Sequence, residues 1–285
     1  MNEIPGQVRS MDVRILRHKI EKIDLLPTIP GVVKRLARII GNPKISLSEI
    51  SSFISSDPVL TSRILKMVNS AIFGFPGRIS SVTHAVTLLG FNVIKGLMMG
   101  VTVLELMQTV MVGLREHSVG CAVAARTLAG IKGLKNLEDV SVAGLLHDLG
   151  KVILLLEFPE DYATVLSEAE KKEILVLEAE RAHFSETHAA VGQWLAEKWR
   201  FPRNLTDVIA WHHKPALAKN APVETAIVHI ADILVRARGF GFAGDAFVPA
   251  VSPASFELLN LSERDIREVL KSIENVSGFG EDLSW

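Results

Sequence analysis

The sequence predicts an all-α fold. Apolar residues recur at helical spacing along most of the 285 residues. In the segment VVKRLARII, for example, Val32, Val33, Leu36, Ile39 and Ile40 alternate with basic residues. Hydrophobic residues make up 48% and charged residues 22%, which is the balance of a chain that folds around an apolar core. Runs with the strict alternation of a half-buried strand are scarce.

Helix ends in the first third of the chain are marked by capping residues. Asp57 followed by Pro58, in SSDPVLTSRILKMV, predicts a helix whose cap is the aspartate and whose first residue is the proline. Ser80 and Ser81 precede VTHAVTLLG and predict a second helix start. Gly90 is then expected to end that helix, because glycine is favoured just past a helix C-terminus.

The remaining helices follow from the same periodicity. We expect helices through EHSVGCAVAARTLA and LEDVSVAGLLHDLGK, from near Pro159, over 185–199 and 222–237, and from Ser262 to near Ile273. The glycine-rich segment 239–247, GFGFAGDAF, lacks the spacing of a phosphate-binding loop and is interpreted as a connection. A division near residue 110 would separate an N-terminal helical part, 1–110, from a second helical domain, 111–285.

Charge and cysteine content restrict the class of protein. The formal net charge of −1 predicts no bulk attraction to nucleic acid or to an anionic membrane. The single cysteine, Cys121, excludes an intramolecular disulfide and fits a reducing compartment. The first residues lack the apolar core of a secretory signal. The longest apolar run, GLMMGVTVLELM, is too short to span a membrane and carries Glu105. Together these features predict a cytoplasmic protein and leave its oligomeric state open.

The segment GLLHDLGKVILL, residues 144–155, places polar residues where an apolar helix is expected. Burying His147, Asp148 and Lys151 there is unfavourable unless they are paired or bound to a ligand. His147 and Asp148 can converge on one metal ion, and the two oxygens of Asp148 can bridge two ions. Lys151 lies one turn further on and could orient an anionic substrate or a hydroxide. The alternative is an Asp148–Lys151 pair on the helix surface.

Other histidines and a carboxylate lie in similarly apolar segments. His212 and His213 end the apolar helix in VIAWHHKP, and the alternative interpretation is a polar helix end. His188 lies on a predicted helix beside apolar residues. Asp232 lies in AIVHIADILV, where a local pair with His229 is the competing explanation.

The candidate metal ligands form an ordered series, in which the members occupy separate predicted helices or helix ends: His117, His147, Asp148, His188, His212, His213 and Asp232. Imidazole and carboxylate ligands suit iron, manganese, zinc or nickel. Two metals bridged by a carboxylate would suit hydrolysis of a phosphate ester. His18, His84 and His183 are interpreted as surface or structural residues.

The series resembles the HD superfamily of metal-dependent phosphohydrolases, named for the His-Asp doublet. The segments LPTIP, SSDPVLTSRIL, VNSAIFG, RISSVTHAVTLLG and HDLGK further resemble the HDOD family, the HD-related output domains of bacterial signalling, over roughly residues 20–215. This resemblance implies an HD-superfamily helical bundle with an additional N-terminal helical bundle. It also implies a regulatory role in signal transduction.

The second half of the chain is similar to the HD-GYP phosphodiesterases, which hydrolyse cyclic dinucleotides at a two- or three-iron centre. That resemblance implies one metal held by His117, His147, Asp148 and Asp232, and a second held by His188, His212 and His213 and bridged by Asp148. It implies two iron ions, with manganese, nickel or zinc as alternatives, and catalytic roles for Asp148 and Lys151. Many HDOD members have lost such ligands and are regarded as non-catalytic.

One departure concerns the substrate. The Gly-Tyr-Pro motif that follows the histidine pair in the HD-GYP enzymes is absent, since His213 is followed by KPALAKNAP and Tyr162 is the only tyrosine. Cyclic di-GMP is therefore not the expected substrate.

Three functions remain open from the sequence, and with them whether the protein is an enzyme. The first is a signalling module with a structural or sensory metal centre, whose partner is another signalling protein or a nucleotide ligand. The second is a metal-dependent phosphohydrolase or phosphodiesterase acting on a cyclic nucleotide or another phosphate ester. The third is oxygen chemistry at a di-iron centre.

Overall fold

The computed structural model describes residues 11–22, 31–42, 44–70 and 72–276. Within these ranges the chain forms fifteen α-helices, a short 3₁₀ helix at Pro215–Leu217 and no β-strand. The prediction of an all-α fold is therefore confirmed. The LPTIP segment, residues 26–30, lies outside the described residues.

Five helices make up the N-terminal part: α1 (Val13–Glu21), α2 (Gly31–Ile40), α3 (Leu47–Ser55), α4 (Pro58–Val68) and α5 (Val82–Val110). The Asp57 carboxylate caps α4, with Pro58 at its first position, as predicted. Ser81 caps α5 by accepting a hydrogen bond from a backbone N–H in the first turn. The backbone leaves the helical conformation at Gly90, where φ is 75°, and a second helical segment follows at once.

Ten helices follow: α6 (Leu114–Ile131), α7 (Leu137–Leu146), α8 (Leu149–Glu157), α9 (Pro159–Lys172), α10 (Val176–Phe184), α11 (His188–Lys198), α12 (Arg203–Trp211), α13 (Pro222–Arg238), α14 (Pro253–Leu258) and α15 (Glu263–Glu274). The prediction of a single helix through LEDVSVAGLLHDLGK was wrong in one respect. The segment is divided into α7 and α8, and His147 and Asp148 occupy the turn between them. The helix predicted over 185–199 begins only at His188, because Ser185 adopts a left-handed conformation that ends α10.

The long helix α5 lies in the centre of the fold, against α3, α4, α7 and α8. By length and composition it is the one helix among the described residues that could cross a membrane. Of its most apolar 18-residue window, 72% is buried inside the fold, and Leu97, Met98 and Met99 are fully buried. This burial is that of a core helix.

The predicted division near residue 110 falls between the end of α5 and the start of α6. Buried apolar side chains on both sides of that junction belong to one hydrophobic cluster, which extends from Leu16 in α1 to Ile273 in α15. The assignment of two domains stays a prediction.

Glycines allow two close helix contacts that position the turn between α7 and α8. A Cβ atom added to Gly144 would lie 2.8 Å from the carbonyl oxygen of Cys121. The helix α7 therefore packs against α6 so closely that only glycine fits at this position. A Cβ atom on Gly150 would lie 1.9 Å from the His188 carbonyl oxygen and 2.7 Å from the Gly192 nitrogen. The glycine of HDLGK is therefore required for the packing of α8 against α11.

Candidate metal centre

The seven predicted ligand residues come together at one place in the structure: His117 on α6, His147 and Asp148 on the turn between α7 and α8, His188 at the start of α11, His212 and His213 after α12, and Asp232 within α13. Six of them are at most 1% exposed, and His213 is half-buried. Together with Cys121, they form two clusters of four residues, and within each cluster all the ligand atoms lie within 4.8 Å of one another.

The His117 cluster consists of His117, Cys121, His147 and Asp232. The Nε2 atom of His117 lies 3.1 Å from Asp232 Oδ1, 3.4 Å from His147 Nε2 and 3.5 Å from Cys121 Sγ. From the sequence, Cys121 indicated only a reducing compartment and was not among the predicted ligands. Its signal was the spacing of four residues from His117, which places both side chains on one face of a helix.

The His188 cluster consists of Asp148, His188, His212 and His213. His188 Nε2 lies 2.9 Å from His213 Nε2 and 3.3 Å from Asp148 Oδ1. His212 Nε2 lies 3.9 Å from the same carboxylate oxygen. The half-buried His213 connects this cluster to the surface.

Asp148 faces both clusters, each with a different oxygen. Its Oδ2 atom lies 3.5 Å from His147 Nε2 and 3.8 Å from His117 Nε2. Its Oδ1 atom faces His188 and His212. This is the arrangement of a carboxylate able to bridge two metal ions.

Hydrogen bonds behind three of the imidazole rings orient their Nε2 atoms toward the clusters. The Nδ1 atom of His147 is 2.7 Å from the Gly144 carbonyl oxygen, and that of His212 is 2.9 Å from the Ile209 carbonyl oxygen. His188 Nδ1 is 2.7 Å from a carboxylate oxygen of Glu180. Such partners behind the ring are typical of metal-binding histidines, because they select the tautomer with a free Nε2 lone pair.

Lys151 is fully buried and makes two hydrogen bonds. Its Nζ donates to Asp148 Oδ2 and to the Ala243 carbonyl oxygen, both at 2.9 Å. The alternative interpretation, an Asp148–Lys151 pair on the helix surface, was right about the pair and wrong about its location, since both side chains are buried in the interior.

The loop 239–247 is more than the connection predicted for it. Besides the carbonyl of Ala243, it supplies Asp245, which forms an ion pair with Arg236. The Arg236 Nε atom also donates to Asp232 Oδ1 at 2.7 Å. Arg236 was not among the predicted site residues, although its spacing of four residues from Asp232 on α13 is that of a helical ion pair.

The electrostatics of the metal-free site favour ionised carboxylates. Burial opposes ionisation of Asp148, but Lys151 and the neighbouring histidines hold its pKa well below the usual range. Burial likewise opposes ionisation of Asp232, and Arg236 and His117 lower its pKa well below the usual range. Each of these two carboxylates therefore has a buried cation beside it.

The imidazoles and the thiol are favoured in their neutral forms. Burial lowers the pKa of His117 to about 4. Burial and the adjacent histidines lower the pKa values of His212 and His213 well below their usual range. Burial and the Asp232 carboxylate raise the pKa of the Cys121 thiol. Neutral imidazoles and ionised carboxylates are the forms that bind metals, whereas the thiol must lose its proton on binding.

The residues fit a metal centre on two grounds besides their type. Asp148 Oδ1 and His212 Nε2 are buried and have no hydrogen bond among the described residues, which is uncommon for buried polar atoms in native proteins. In addition, ring nitrogens face one another between His117 and His147 and between His188 and His213. In each pair the two nitrogens point their lone pairs at one another, and a metal ion bound between them would coordinate both.

The other histidines lie outside the two clusters. His18 and His84 are exposed, as expected. His183 is buried, and its Nε2 atom is 2.9 Å from Asp161 Oδ1. His229 contacts the His212 carbonyl oxygen through Nδ1 at 2.7 Å and accepts a hydrogen bond from the Ser252 N–H at 2.9 Å. The competing His229–Asp232 pair is therefore not formed.

The fold and the paired clusters define an all-helical, HD-like domain with a candidate metal centre. A model of the HDOD domain family matches residues 26–215, most of the chain. The protein belongs to the HDOD family.

Two similar proteins match the chain at moderate identity. An uncharacterised protein of Treponema pallidum (strain Nichols) is 27% identical over 211 residues, which are 73% of this chain and 41% of that protein. The chain thus spans less than half of that relative's length. An HDOD domain protein from Geobacter sulfurreducens, known from a crystal structure, is 26% identical and superposes with a TM-score of 0.62 over 95% of this chain and 97% of the other.

A second solved structure supports the fold alone. It is a candidate signal transduction protein from Marinobacter aquaeolei VT8, 21% identical, with a TM-score of 0.67 over 96% of this chain and 66% of the other.

Proposed function

We propose that this chain is an HDOD regulatory domain of signal transduction whose buried centre binds two metal ions. The observation that carries the proposal is the position of Asp148, with one oxygen toward each histidine cluster. One ion would be held by the His117 cluster and the other by the His188 cluster, with Asp148 between them. The resemblance to HD-GYP enzymes favours iron at both positions, and the donor types also accept manganese, nickel or zinc.

The charges of the centre indicate the kind of ligand it would bind. Two divalent ions bring four positive charges, and buried cations already pair with the carboxylates: Lys151 with Asp148, and Arg236 with both Asp232 and Asp245. The occupied centre is therefore strongly electropositive in a low-dielectric interior. It would favour an anionic ligand, and the phosphate of a nucleotide is the candidate we propose, alongside a signalling protein as partner of the domain.

A regulatory role is favoured over catalysis by the position of Lys151, whose ammonium is held by Asp148 and Ala243. A lysine in that position stabilises the bridging carboxylate. It does not point toward an approaching substrate.

Metal stoichiometry tests this proposal. The protein should be purified without a histidine tag or chelator, under iron- and manganese-replete conditions, and its metal content measured beside Asp148→Asn and His212→Ala. We expect about two metals per chain in the wild type, loss of both in Asp148→Asn, and retention of one in His212→Ala. His84→Ala, at an exposed histidine, is the control and should retain both. Wild-type protein without bound metal would contradict the proposal.

A second candidate function, hydrolysis of a phosphate ester, is favoured by one specific observation. His213 lines a surface pocket of about 290 Å³, together with Arg181, Lys214 and two tryptophans, Trp194 and Trp211. The pocket offers cationic groups to a phosphate and aromatic faces to an organic moiety beside the centre. Two bound metals would supply Lewis acidity and an activated water there.

Turnover of bis(p-nitrophenyl) phosphate and p-nitrophenyl phosphate by the metal-loaded protein separates the two functions. Hydrolysis requires a rate well above that of Asp148→Asn and a higher KM in Lys214→Gln, because the lysine would bind the phosphate. Lys151→Ala is a poor probe, since it also removes the partner of Asp148. Metal-loaded protein with no turnover of either ester would exclude hydrolysis of these classes and leave the regulatory function.

A further inference from the structure

We propose that Cys121 supplies a thiolate ligand to the metal ion held by His117, His147 and Asp232. This inference rests on the proposed function, because it requires that a metal binds in the His117 cluster. It adds a sulfur to the ligand set that the resemblance implies, which consists of imidazoles and carboxylates.

Two separations between the ligand atoms match those around a tetrahedral ion. With metal–nitrogen distances of about 2.0–2.1 Å and a metal–sulfur distance of about 2.3 Å, tetrahedral geometry puts two nitrogens about 3.4 Å apart and a nitrogen and a sulfur about 3.6 Å apart. His117 Nε2 and His147 Nε2 are 3.4 Å apart. His117 Nε2 and Cys121 Sγ are 3.5 Å apart.

Asp232 completes the cluster less symmetrically. Its Oδ1 atom lies 3.1 Å from His117 Nε2 and 3.9 Å from His147 Nε2, where about 3.4 Å is expected for a tetrahedral ion. The four ligand atoms lie within 4.8 Å of one another, with the sulfur among them.

The backbone fixes the position of the thiol. Cys121 is fully buried on α6, one turn beyond His117, and its carbonyl oxygen is in contact distance of Gly144 on α7. Because Gly144 lies three residues before His147, the same helix contact sets the thiol and the imidazole relative to one another.

A thiolate ligand changes which metals the centre accepts. Sulfur is a soft donor and selects zinc, iron or cobalt over magnesium and manganese, which prefer oxygen ligands. The thiol proton is released to solvent when the metal binds. The His117 cluster would thus bind a thiophilic metal, while the His188 cluster, with three imidazoles and a carboxylate, has no sulfur.

Cobalt(II) spectroscopy tests the assignment. Metal-free protein is titrated with Co²⁺, and the near-ultraviolet thiolate-to-cobalt charge-transfer band is recorded together with the visible ligand-field bands. Cys121 is the only cysteine, so a thiolate band has one source. We expect the band in the wild type and its loss in Cys121→Ser, with retained ligand-field bands and at least about a tenfold weaker affinity at one of the two sites.

The control variant is Ser118→Ala, which alters another buried side chain of α6 and should leave the band unchanged. Cobalt bound by the wild type without the charge-transfer band would overturn the role of Cys121 and leave the metal centre intact. A wild type that binds no cobalt would overturn both this inference and the proposed function.

Discussion

Glu180 holds His188 at two points. Its Oε2 atom accepts a hydrogen bond from the backbone N–H of His188 at 2.9 Å and lies 2.7 Å from the ring Nδ1. Its other oxygen accepts the hydroxyl hydrogen of Tyr162 at 2.7 Å. All three residues are buried. The carboxylate therefore fixes both the first residue of α11 and the ring orientation that directs Nε2 toward the His188 cluster.

Replacing Glu180 with glutamine should weaken metal binding at the His188 cluster. The single amide oxygen is a weaker acceptor than a carboxylate for the two hydrogen bonds from His188. The ring of His188 is therefore held less firmly, and its Nε2 is less basic. Partners of this kind are typically worth about 10- to 100-fold in metal affinity. Isothermal titration with zinc measures the effect. Glu178→Gln, an exposed glutamate on the same helix, is the control, and equal affinities in both variants would contradict the role.

Removing the Arg236 guanidinium should destabilise the fold. Arg236 is 7% exposed and pairs with both Asp232 and Asp245, so Arg236→Gln leaves two buried carboxylates without their cation. Breaking a buried pair from one side costs about 3–5 kcal/mol in the free energy of unfolding. Urea denaturation of the metal-free protein measures the loss.

Arg238→Gln provides the matched comparison on the same helix. Its ion pair with Glu274 has both side chains about half exposed, and such pairs contribute about 0–1 kcal/mol. Similar destabilisation in the two variants would contradict the importance assigned to the buried pair.

Gly150→Ala should disrupt the contact between α8 and α11. The added Cβ would lie 1.9 Å from the His188 carbonyl oxygen, so the helices must separate. Overpacking of this kind costs about 1–3 kcal/mol or more, and displacement of His188 should also reduce metal content at its cluster. Thermal unfolding and metal analysis measure the two effects. Gly77→Ala has open space around the new Cβ and should remain near wild-type stability.

The stability of the metal-free protein should fall on acidification. Burial lowers the folded-state pKa of His117 to about 4 from 6.5, so the unfolded chain binds more protons between these values. Stability is therefore complete above about pH 6.5 and is lost as the pH falls through that range toward 4. The histidine contributes about 1.4 kcal/mol per pH unit there, and His212 and His213 act in the same direction.

Chemical denaturation at several pH values between 7.5 and 4 measures this dependence. His117→Gln should flatten the curve, because glutamine does not titrate. The exposed His84→Gln should leave it unchanged. A free energy of unfolding that is constant across the range would show that these imidazoles are not held neutral in the fold.

The sequence predicted which side chains come together better than it predicted the local backbone. All seven proposed ligands come together, because polar residues in apolar segments have few stable environments other than a shared polar site. The helix through His147 and Asp148 was wrong, since the apolar periodicity continues across the turn that separates α7 from α8. Periodicity reports which face is buried and is insensitive to such a short interruption.

The supporting residues were missed for a different reason. Glu180 and Tyr162 act on His188 through contacts between separate helices, and no spacing in the sequence connects them. Likewise, the loop 239–247 reaches Lys151 and Arg236 only through the folding of the chain around α13.

The sequence by itself determined the all-α class, the family and the residue types available to a metal, because each depends on local periodicity or on a pattern of side chains along the chain. Only the tertiary structure decided how those residues are grouped. It placed Cys121 beside His117, divided the oxygens of Asp148 between two clusters, and placed a buried cation beside each of the carboxylates of Asp148 and Asp232. These relationships depend on distances between helices. Glycine contacts and core packing set those distances, and the linear spacing of residues does not contain them.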